Sequence, residues 1–211
     1  MLCHSIEQDK KLTTTPTTSQ LNNELQNHMD IMQQAVNECE TAIHDIVEIM
    51  LTCFQQNHKI LLCGNGGSAA DAQHVAAEFI NRFRFDRPAL PAIALTTDSS
   101  ILTCIANDSS FDFVFSRQVE AIANSGDILI GISTSGGSEN ILNALDAARK
   151  KGIKTIGFTG EKGRTTLAPQ CDHCLIVPST DTARIQEVHE FVWHFICGMI
   201  EERLFRTPNN I

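Results

Sequence analysis

Two glycine-containing segments carry residue types suited to binding an anion. They are Gly64–Ser68 (GNGGS) and Ser133–Ser138 (STSGGS), and each follows an apolar run and precedes a helix-like stretch. Glycine lets backbone N–H groups approach a ligand closely, and the N-terminus of a helix attracts negative charge. The second segment adds four hydroxyls without any lysine. Together the segments predict a cradle for a phosphate monoester.

A purely structural role is the alternative for both segments. Tight turns between a strand and a helix also use glycine, and Ser138 is a residue type that caps helices. Four hydroxyls exceed what one cap needs, which favours phosphate binding at the second segment. The first segment has neither the spacing GxGxxG nor GxxxxGK[ST], so a dinucleotide or a nucleoside triphosphate is disfavoured.

Imidazole, carboxylate and amide side chains recur on two other helix-like stretches. His74 and Glu78 are four residues apart and therefore share one helical face. Gln186 and His194 are eight residues apart on the last stretch, with Glu190 between them. Two imidazoles, a carboxylate and an amide oxygen suit a Zn²⁺ site with open coordination for a substrate.

Structural alternatives remain open for these residues. A helical His-x-x-x-Glu pair is more often part of a solvated face, and His194 is next to Trp193, where it is able to pack into a core. Eight helical residues also span about 12 Å. Gln186 and His194 therefore reach one ion only if both side chains extend or a neighbouring subunit supplies one of them.

A long apolar seam precedes the first glycine segment. From Leu25 to Cys53 apolar residues follow a 4-3-4-3 spacing, which is typical of an amphipathic helix with a heptad repeat. Such a helix would run about 43 Å, so it either packs on its own domain, joins an intersubunit bundle, or does both. We expect residues 1–20, rich in Thr, Gln and Lys, to be a disordered tail, and residues 21–57 to be an oligomerisation helix.

Beyond Asn57 short apolar runs alternate with helix-like stretches. Buried strands of a parallel sheet read as continuous apolar runs, and the connecting helices cover both sheet faces. The sequence therefore predicts one α/β domain over residues 21–211. The runs are KILLCGNG, PAIALTT, DILIGIST, KTIGFTG and HCLIVPS.

Composition narrows the possible classes of function. The formal net charge is −9 at pH 7, which argues against a general binder of nucleic acid or anionic membranes. No apolar run approaches the roughly 18 residues of a membrane span, and the first twenty residues lack a signal-peptide core, so we expect a cytoplasmic protein. The eight cysteines are expected to be reduced thiols. The single CxxC at Cys171–Cys174 is interpreted as a loop and strand edge rather than a metal or redox site.

The segments GNGGSAADAQH and ISTSGGSENI, in this order, resemble the sugar isomerase (SIS) domain family. The likeness covers roughly residues 22–206 and includes LPAIALTTD, IAND, FSRQVEAI and TARIQEVH; it is strongest to the heptose-phosphate branch of the family. The resemblance implies a flavodoxin-like sheet of five parallel strands sandwiched by helices. It also implies a sugar-phosphate substrate and a homotetramer with a central helical bundle, without nucleic-acid or membrane partners.

The same resemblance implies an activity and its residues. The activity is aldose–ketose isomerisation of D-sedoheptulose 7-phosphate to D-glycero-D-manno-heptose 7-phosphate through an enediol, for bacterial lipopolysaccharide heptose. One Zn²⁺ per subunit would be held by His74, Glu78, Gln186 and His194, with Glu78 and His194 as the acid–base pair. The substrate-binding residues implied are Asn65, Gly66, Gly67, Glu78, Asn107, Asp108, Ser133, Thr134, Ser135, Ser138 and Gln186.

A non-catalytic relative is the alternative within the same family. That relative binds the bacterial replication initiator protein and is similar to this chain through AQH, INRF, LPAIAL and ARIQE. It lacks the carboxylate and the late histidine, whereas Glu78 and His194 are both present here, which favours the enzyme. Two positions depart from the family pattern: Ala183 stands where an acidic residue is common, and Gly137 stands where asparagine is common.

Overall fold

The computed structural model describes residues 18–206, which form six α-helices and five β-strands. Short 3₁₀ turns occupy Phe111–Phe113, Glu161–Thr165 and Ala168–Gln170. The helices are α1 Thr18–Gln55, α2 Gly67–Ile80, α3 Ser99–Asp108, α4 Ser116–Ile122, α5 Glu139–Lys150 and α6 Thr182–Phe205. The strands are β1 Ile60–Gly64, β2 Ala92–Ala94, β3 Ile128–Ser133, β4 Lys154–Gly160 and β5 His173–Val177.

The five strands form one parallel sheet in the order β2-β1-β3-β4-β5. This is the flavodoxin-like order, in which ligands bind beyond the carboxyl ends of the strands where the order reverses. Here the reversal lies between β1 and β3, where Gly64, the last residue of β1, is in register with Ile132 of β3. The predicted fold class is confirmed, and the sheet places the two glycine segments side by side.

Both faces of the sheet are buried because successive side chains of each strand point to opposite sides. Ile60 and Leu62 of β1 join a core with α1, α2 and α6, whereas Leu61 and Cys63 join a second core with α4 and α5. The strand-like runs of the sequence are apolar throughout for this reason. None of the helices in residues 18–206 is long and apolar enough to cross a membrane.

The first helix begins earlier than the sequence suggested. Residues 18–20, which the sequence analysis assigned to the tail, lie in α1. No proline or glycine interrupts them, and polar pairs four residues apart stabilise the following turns. One such pair is Gln26 and Asp30, whose side chains are 2.7 Å apart. Residues 1–17 lie outside the described part of the chain. One face of the second half of α1 is buried in the core, whereas Leu25 and Met29 are 56% and 54% exposed.

The CxxC segment lies at the start of the edge strand β5, which begins at His173, as the strand-edge interpretation expected. The cysteines found in residues 18–206 are free thiols. Burial raises the pKa of Cys63 to about 12, so this thiol stays protonated at neutral pH and packs as an apolar side chain.

A buried ion pair attaches the segment that follows α2 to the last helix, α6. The side chains of Arg87 and Glu201 are 2% and 1% exposed, with 3.1 Å between Nε and Oε1. Glu201 also accepts hydrogen bonds from the backbone N–H groups of Phe83 and Arg84, at 2.9 and 2.7 Å. Arg87 donates to the carbonyl of Glu78 at 2.7 Å. The pair therefore closes the C-terminal end of α2 and ties it to α6.

Removing one partner of this buried pair leaves the other charge uncompensated. Glu201→Gln is expected to lower the free energy of unfolding by about 3–5 kcal/mol, measured by urea denaturation. The neighbouring Glu202→Gln removes an exposed ion pair with Arg206 and is the matched control, with an expected change within about 0.5 kcal/mol. Equal losses in the two variants would contradict the structural role of Glu201.

Candidate active site

The loops after β1 and β3 are joined by a pair of amide side chains. Asn65 Nδ2 donates to Asn140 Oδ1, and Asn140 Nδ2 donates to Asn65 Oδ1, both at 2.9 Å. Asn140 lies in the first turn of α5 and is buried. The two bonds hold the N-termini of α2 and α5 next to each other at the carboxyl edge of the sheet.

The hydroxyl-rich loop folds on itself around Ser133. Ser133 Oγ lies 3.0 Å from Ser138 Oγ and accepts a bond from the Gly136 N–H at 3.2 Å. Gly136 has φ +70° and packs against the backbone of Gly163, a conformation that favours glycine. Because the Ser138 hydroxyl bonds to Ser133 rather than to the amides of α5, Ser138 does not act as a side-chain cap. The first amides of α5 therefore lack the side-chain cap that Ser138 would have supplied, which suits an anion.

The N-terminus of α2 is shaped by close approach to α6. Gly66 has φ +56°, and a Cβ at Gly67 would collide with the amide nitrogen of Gln186. Glycine at position 67 therefore lets the Gln186 side chain lie against the start of α2. Gln186 is thus at the loop end of the site, whereas Glu78 is near the opposite end of α2.

Imidazoles and carboxylates of α2 and α6 form one cluster. His74 Nδ1 lies 2.7 Å from Glu190 Oε1, and His194 Nε2 lies 3.3 Å from the same oxygen. Glu78 Oε1 lies 3.3 Å from the other ring nitrogen of His74, Nε2. One ligand atom each from His74, Glu190 and His194 lies within 4.8 Å of the other two. Such a set of nitrogen and oxygen atoms can hold a divalent transition-metal ion.

Two neighbours shape the surroundings of this cluster. The ring of Phe83 stacks on His194, with 5.4 Å between centroids and 13° between planes. Burial raises the pKa of Asp71 to about 6, the negative charge of Glu190 adds to the rise, and His74 opposes it. The cluster is therefore covered by an aromatic ring on one side and contains a further carboxyl group one turn before His74.

The structure brings together part of the residue set that the sequence indicated. His74, Glu78 and His194 lie in the cluster, and the hydroxyl loop leads into α5, whose Asn140 bonds to Asn65. The Gln186 side-chain amide lies against the start of α2 at Gly67. Asn107 and Asp108 are exposed at the end of α3, where they bond to each other at 2.8 Å.

Glu190 received no role from the sequence, although it lies closest to His74. Its signal is the spacing Gln186, Glu190, His194, four residues apart each time, which places all three on one face of α6. Glutamate at this spacing is common on solvated helices, so the pattern alone does not single it out. The packing of α6 against α2 is what distinguishes Glu190, because it brings this side chain to His74.

Comparisons with known proteins agree with this fold. The family model described as SIS domain matches residues 25–160. A phosphoheptose isomerase of Roseiflexus sp. (strain RS-1) is 52% identical over 182 residues, which cover 86% of this chain and 92% of that protein. The solved phosphoheptose isomerase of Neisseria gonorrhoeae aligns with a TM-score of 0.82 and 42% identity over 87% of this chain and 98% of that chain. The solved phosphoheptose isomerase of Francisella tularensis aligns with a TM-score of 0.85 and 36% identity over 89% of this chain and 100% of that chain.

The fold, the glycine loop and the hydroxyl loop define an SIS domain protein. Within this class, the identity and coverage show that the chain belongs to the phosphoheptose isomerase family.

The hydroxyl loop generates a test that is independent of turnover. Ser133→Ala removes a hydroxyl that can donate to a charged phosphate, worth about 1.5–3 kcal/mol, so the dissociation constant of inorganic phosphate should rise about 10- to 150-fold. Isothermal titration calorimetry measures it. Ser125, exposed and at the opposite edge of the sheet before β3, supplies the control Ser125→Ala. Unchanged phosphate affinity in a normally folded Ser133→Ala would remove the loop from anion binding.

Proposed function

We propose that this chain isomerises D-sedoheptulose 7-phosphate to D-glycero-D-manno-heptose 7-phosphate, a step toward bacterial surface heptose. Membership in the phosphoheptose isomerase family makes the chain an aldose–ketose isomerase. The observation that carries the proposal is the pairing of a phosphate cradle with an imidazole–carboxylate cluster along one helix, α2. The free thiols among the described cysteines support a reducing compartment, the cytoplasm, as the place of action.

The two ends of α2 suit the two ends of the substrate. Gly67 and His74 are seven residues apart, about 10 Å along the helix axis. A phosphorylated sugar with its phosphate at the loops would extend its carbon chain along α2 toward His74. In this arrangement C1 and C2, the carbons that react, lie at the cluster.

Phosphate and sugar contacts follow from the same placement. Backbone amides at the starts of α2 and α5 would bind the phosphate, and the loop hydroxyls would donate to it. Asn107 and Asp108 would have to reach the sugar across the site or enter a neighbouring subunit's site. The substrate-binding set in this proposal is Asn65, Gly66, Gly67, Glu78, Asn107, Asp108, Ser133, Thr134, Ser135, Ser138 and Gln186.

The cluster fits a Zn²⁺ ion, one per subunit. Two imidazole nitrogens and a carboxylate oxygen within 4.8 Å of one another are the donor types that Zn²⁺ takes. The family resemblance adds Glu78 and Gln186 to His74 and His194 as the holding residues. When bound, the ion supplies polarisation of the substrate carbonyl and stabilisation of developing negative charge.

Isomerisation moves a proton between C1 and C2 through an enediol. A base removes the proton from the carbon that bears the hydroxyl, and the carbonyl oxygen takes up a proton, which gives the enediol. The original hydroxyl then loses its proton as it becomes the new carbonyl, and the former carbonyl carbon takes up a proton. Glu78 and His194 are the residues proposed for this exchange. Their positions on α2 and α6, on either side of His74, let them face a substrate from two helices.

We include a homotetramer in the proposal. Exposed apolar side chains run along the first half of α1 and onto α6, including Leu25, Met29, Val36 and Phe191. Water contact with such a stripe is unfavourable by roughly 25 cal/mol per Å². A bundle of α1 helices from neighbouring subunits would bury it, and the neighbouring subunits would complete each site.

The non-catalytic alternative, a protein that binds the replication initiator, finds less support. A docking protein has no need for a carboxylate and two imidazoles in contact. Here Glu78 contacts His74, and Phe83 stacks on His194. The catalytic interpretation uses these contacts, whereas the docking interpretation leaves them without a purpose.

The first test of the proposal concerns proton transfer. Glu78→Gln and His194→Gln should each lower turnover of sedoheptulose 7-phosphate by about 10²-fold or more, the usual contribution of a general acid or base. Circular dichroism and melting temperature should match the unmutated protein. A correctly folded variant with near-normal turnover would exclude that residue from the chemistry.

The second test concerns assembly. Ile43 is 7% exposed and belongs to the subunit's own core, whereas Val36 and Phe191 are 37% and 46% exposed. Charged substitutions at Val36 and Phe191 therefore disturb contacts between subunits rather than the core of one subunit. The double variant Val36→Glu, Phe191→Glu should sediment as smaller species with reduced activity. Thr52→Glu, exposed on α1, is the control. A fully active monomer of the unmutated protein would refute the tetramer.

A further inference from the structure

Two thiols meet on one face of the sheet, beside the edge strand β5. Cys174 of β5 is in register with Gly157 of β4. A Cβ on Gly157 would lie 2.8 Å from Cys171 Sγ and 2.9 Å from Cys174 Sγ, so both sulfurs occupy the space that the glycine leaves open. A CxxC spacing alone does not show that its sulfurs meet, and here they do. This dithiol, Cys171 and Cys174, has no part in the function proposed above.

The dithiol lies where a small molecule can approach it. Both residues are half-buried, the chain bends at Cys171, and β5 is the last strand of the sheet. Cys63, by contrast, is fully buried in β1. Cys104 is exposed on α3, where its sulfur lies 3.6 Å from a carboxylate oxygen of Asp108. Accessibility and a neighbouring thiol are therefore combined at Cys171 and Cys174.

The contact between the two thiols sets the order in which they react. Interaction with the Cys174 thiol, together with burial, raises the pKa of Cys171. Cys171 therefore keeps its proton at neutral pH, and Cys174 is the sulfur that attacks first. Attack of the Cys174 thiolate on a small-molecule disulfide forms a mixed disulfide and releases one thiolate.

The second step closes the disulfide. Once Cys174 is in the mixed disulfide, Cys171 no longer faces a thiol, so it loses its proton to water and attacks the Cys174 sulfur. The second thiolate of the small molecule leaves. Two protein thiols thereby lose two electrons and two protons, and the small-molecule disulfide becomes two thiols.

A short chain of contacts joins the dithiol to the hydroxyl loop. A Cβ on Gly157 would also collide with Leu167 Cδ2, so the Leu167 side chain and the two sulfurs share one space. Cys171 donates its S–H to the Leu167 carbonyl at 3.4 Å, and the Leu167 N–H donates to the Gly163 carbonyl at 3.0 Å. The Gly163 backbone packs against Gly136 of the hydroxyl loop.

A disulfide breaks the first of these contacts. It has no S–H, so Cys171 stops donating to Leu167, and its sulfur moves toward Cys174. Leu167 is fully buried, and a close-packed interior transmits such a displacement to its neighbours. Resting on the phosphate binding proposed above, we infer that Cys171 and Cys174 form a reversible disulfide by exchange with a small-molecule disulfide, and that the oxidised protein binds phosphate more weakly.

Peptide mass tests the first half of this inference. Trypsin cleaves after Arg164 and Arg184, and the peptide Thr165–Arg184 contains Cys171 and Cys174 as its two cysteines. The full-length protein is equilibrated with mixtures of glutathione and glutathione disulfide, free thiols are alkylated, and the peptide is weighed. We expect an unalkylated peptide that lacks two hydrogen atoms, and two alkylated thiols after reduction with dithiothreitol. Two alkylated thiols at every mixture, or mixed disulfides alone, would overturn the inference.

Phosphate affinity tests the second half. Isothermal titration calorimetry with inorganic phosphate should give a dissociation constant about 10-fold or more higher for the oxidised protein than for the reduced protein, equivalent to losing one hydrogen bond to a charged group. The double variant Cys171→Ser, Cys174→Ser should bind phosphate equally under both conditions. Cys104→Ser removes the exposed single thiol and should keep the full response. Equal affinity of the oxidised and reduced unmutated protein would overturn the inference.

Hydrogen–deuterium exchange reads the coupling without phosphate. Oxidation should speed exchange of the Gly136 and Leu167 amides and leave β1 unchanged. If the reduced protein fails to bind phosphate, the cradle in the proposed function is refuted. Exchange rates that are the same in both redox states would instead refute the link between the dithiol and the hydroxyl loop, so the two failures are distinguishable.

Discussion

The packing of α2 against α6 is the constraint on which the site depends. The two helices run in the same direction and meet at three levels. Gly67 contacts Gln186 at the start, and His74 meets Glu190 and His194 in the middle. Beyond the end of α2, the buried Glu201 holds the backbone that follows it. A side chain at position 67 or an unpaired charge at position 201 would shift one helix along the other, and the cluster between would lose its spacing.

The sheet supplies the other half of the arrangement. Because β1 and β3 are neighbours, the loops that follow them present two helix N-termini at one edge. The reciprocal amide pair of Asn65 and Asn140 keeps these loops together. In the proposed function, the start of α2 binds the phosphate and the cluster farther along α2 transfers the proton. A substrate long enough to reach both places would be held by its phosphate while its reactive carbons meet the cluster.

Much of the fold could be predicted from the sequence, because buried parallel strands are uninterrupted apolar runs and helices carry a periodic seam. Packing determines the strand order, the start of α1 at Thr18 and the contacts between distant segments. These features therefore could not be predicted from the sequence. The same limit applies to the site. The sequence spacing predicts that His74 and Glu78 share a helical face. It does not distinguish Glu190 from a solvated residue, because only the packing of α2 beside α6 brings Glu190 to His74. The separation of Gln186 and His194 is likewise explained by packing, since Gln186 lies against Gly67.

Conversion of substrate by metal-defined protein tests the central claim most directly. Purified protein of known metal content is incubated with sedoheptulose 7-phosphate, and separately with pentose and hexose phosphates, and the products are followed by nuclear magnetic resonance. We expect the aldoheptose 7-phosphate to form from the heptulose phosphate alone, to cease forming after chelation and to reappear with Zn²⁺. No heptose product, or equal conversion before and after complete removal of metal, would contradict a metal-assisted heptose-phosphate isomerase.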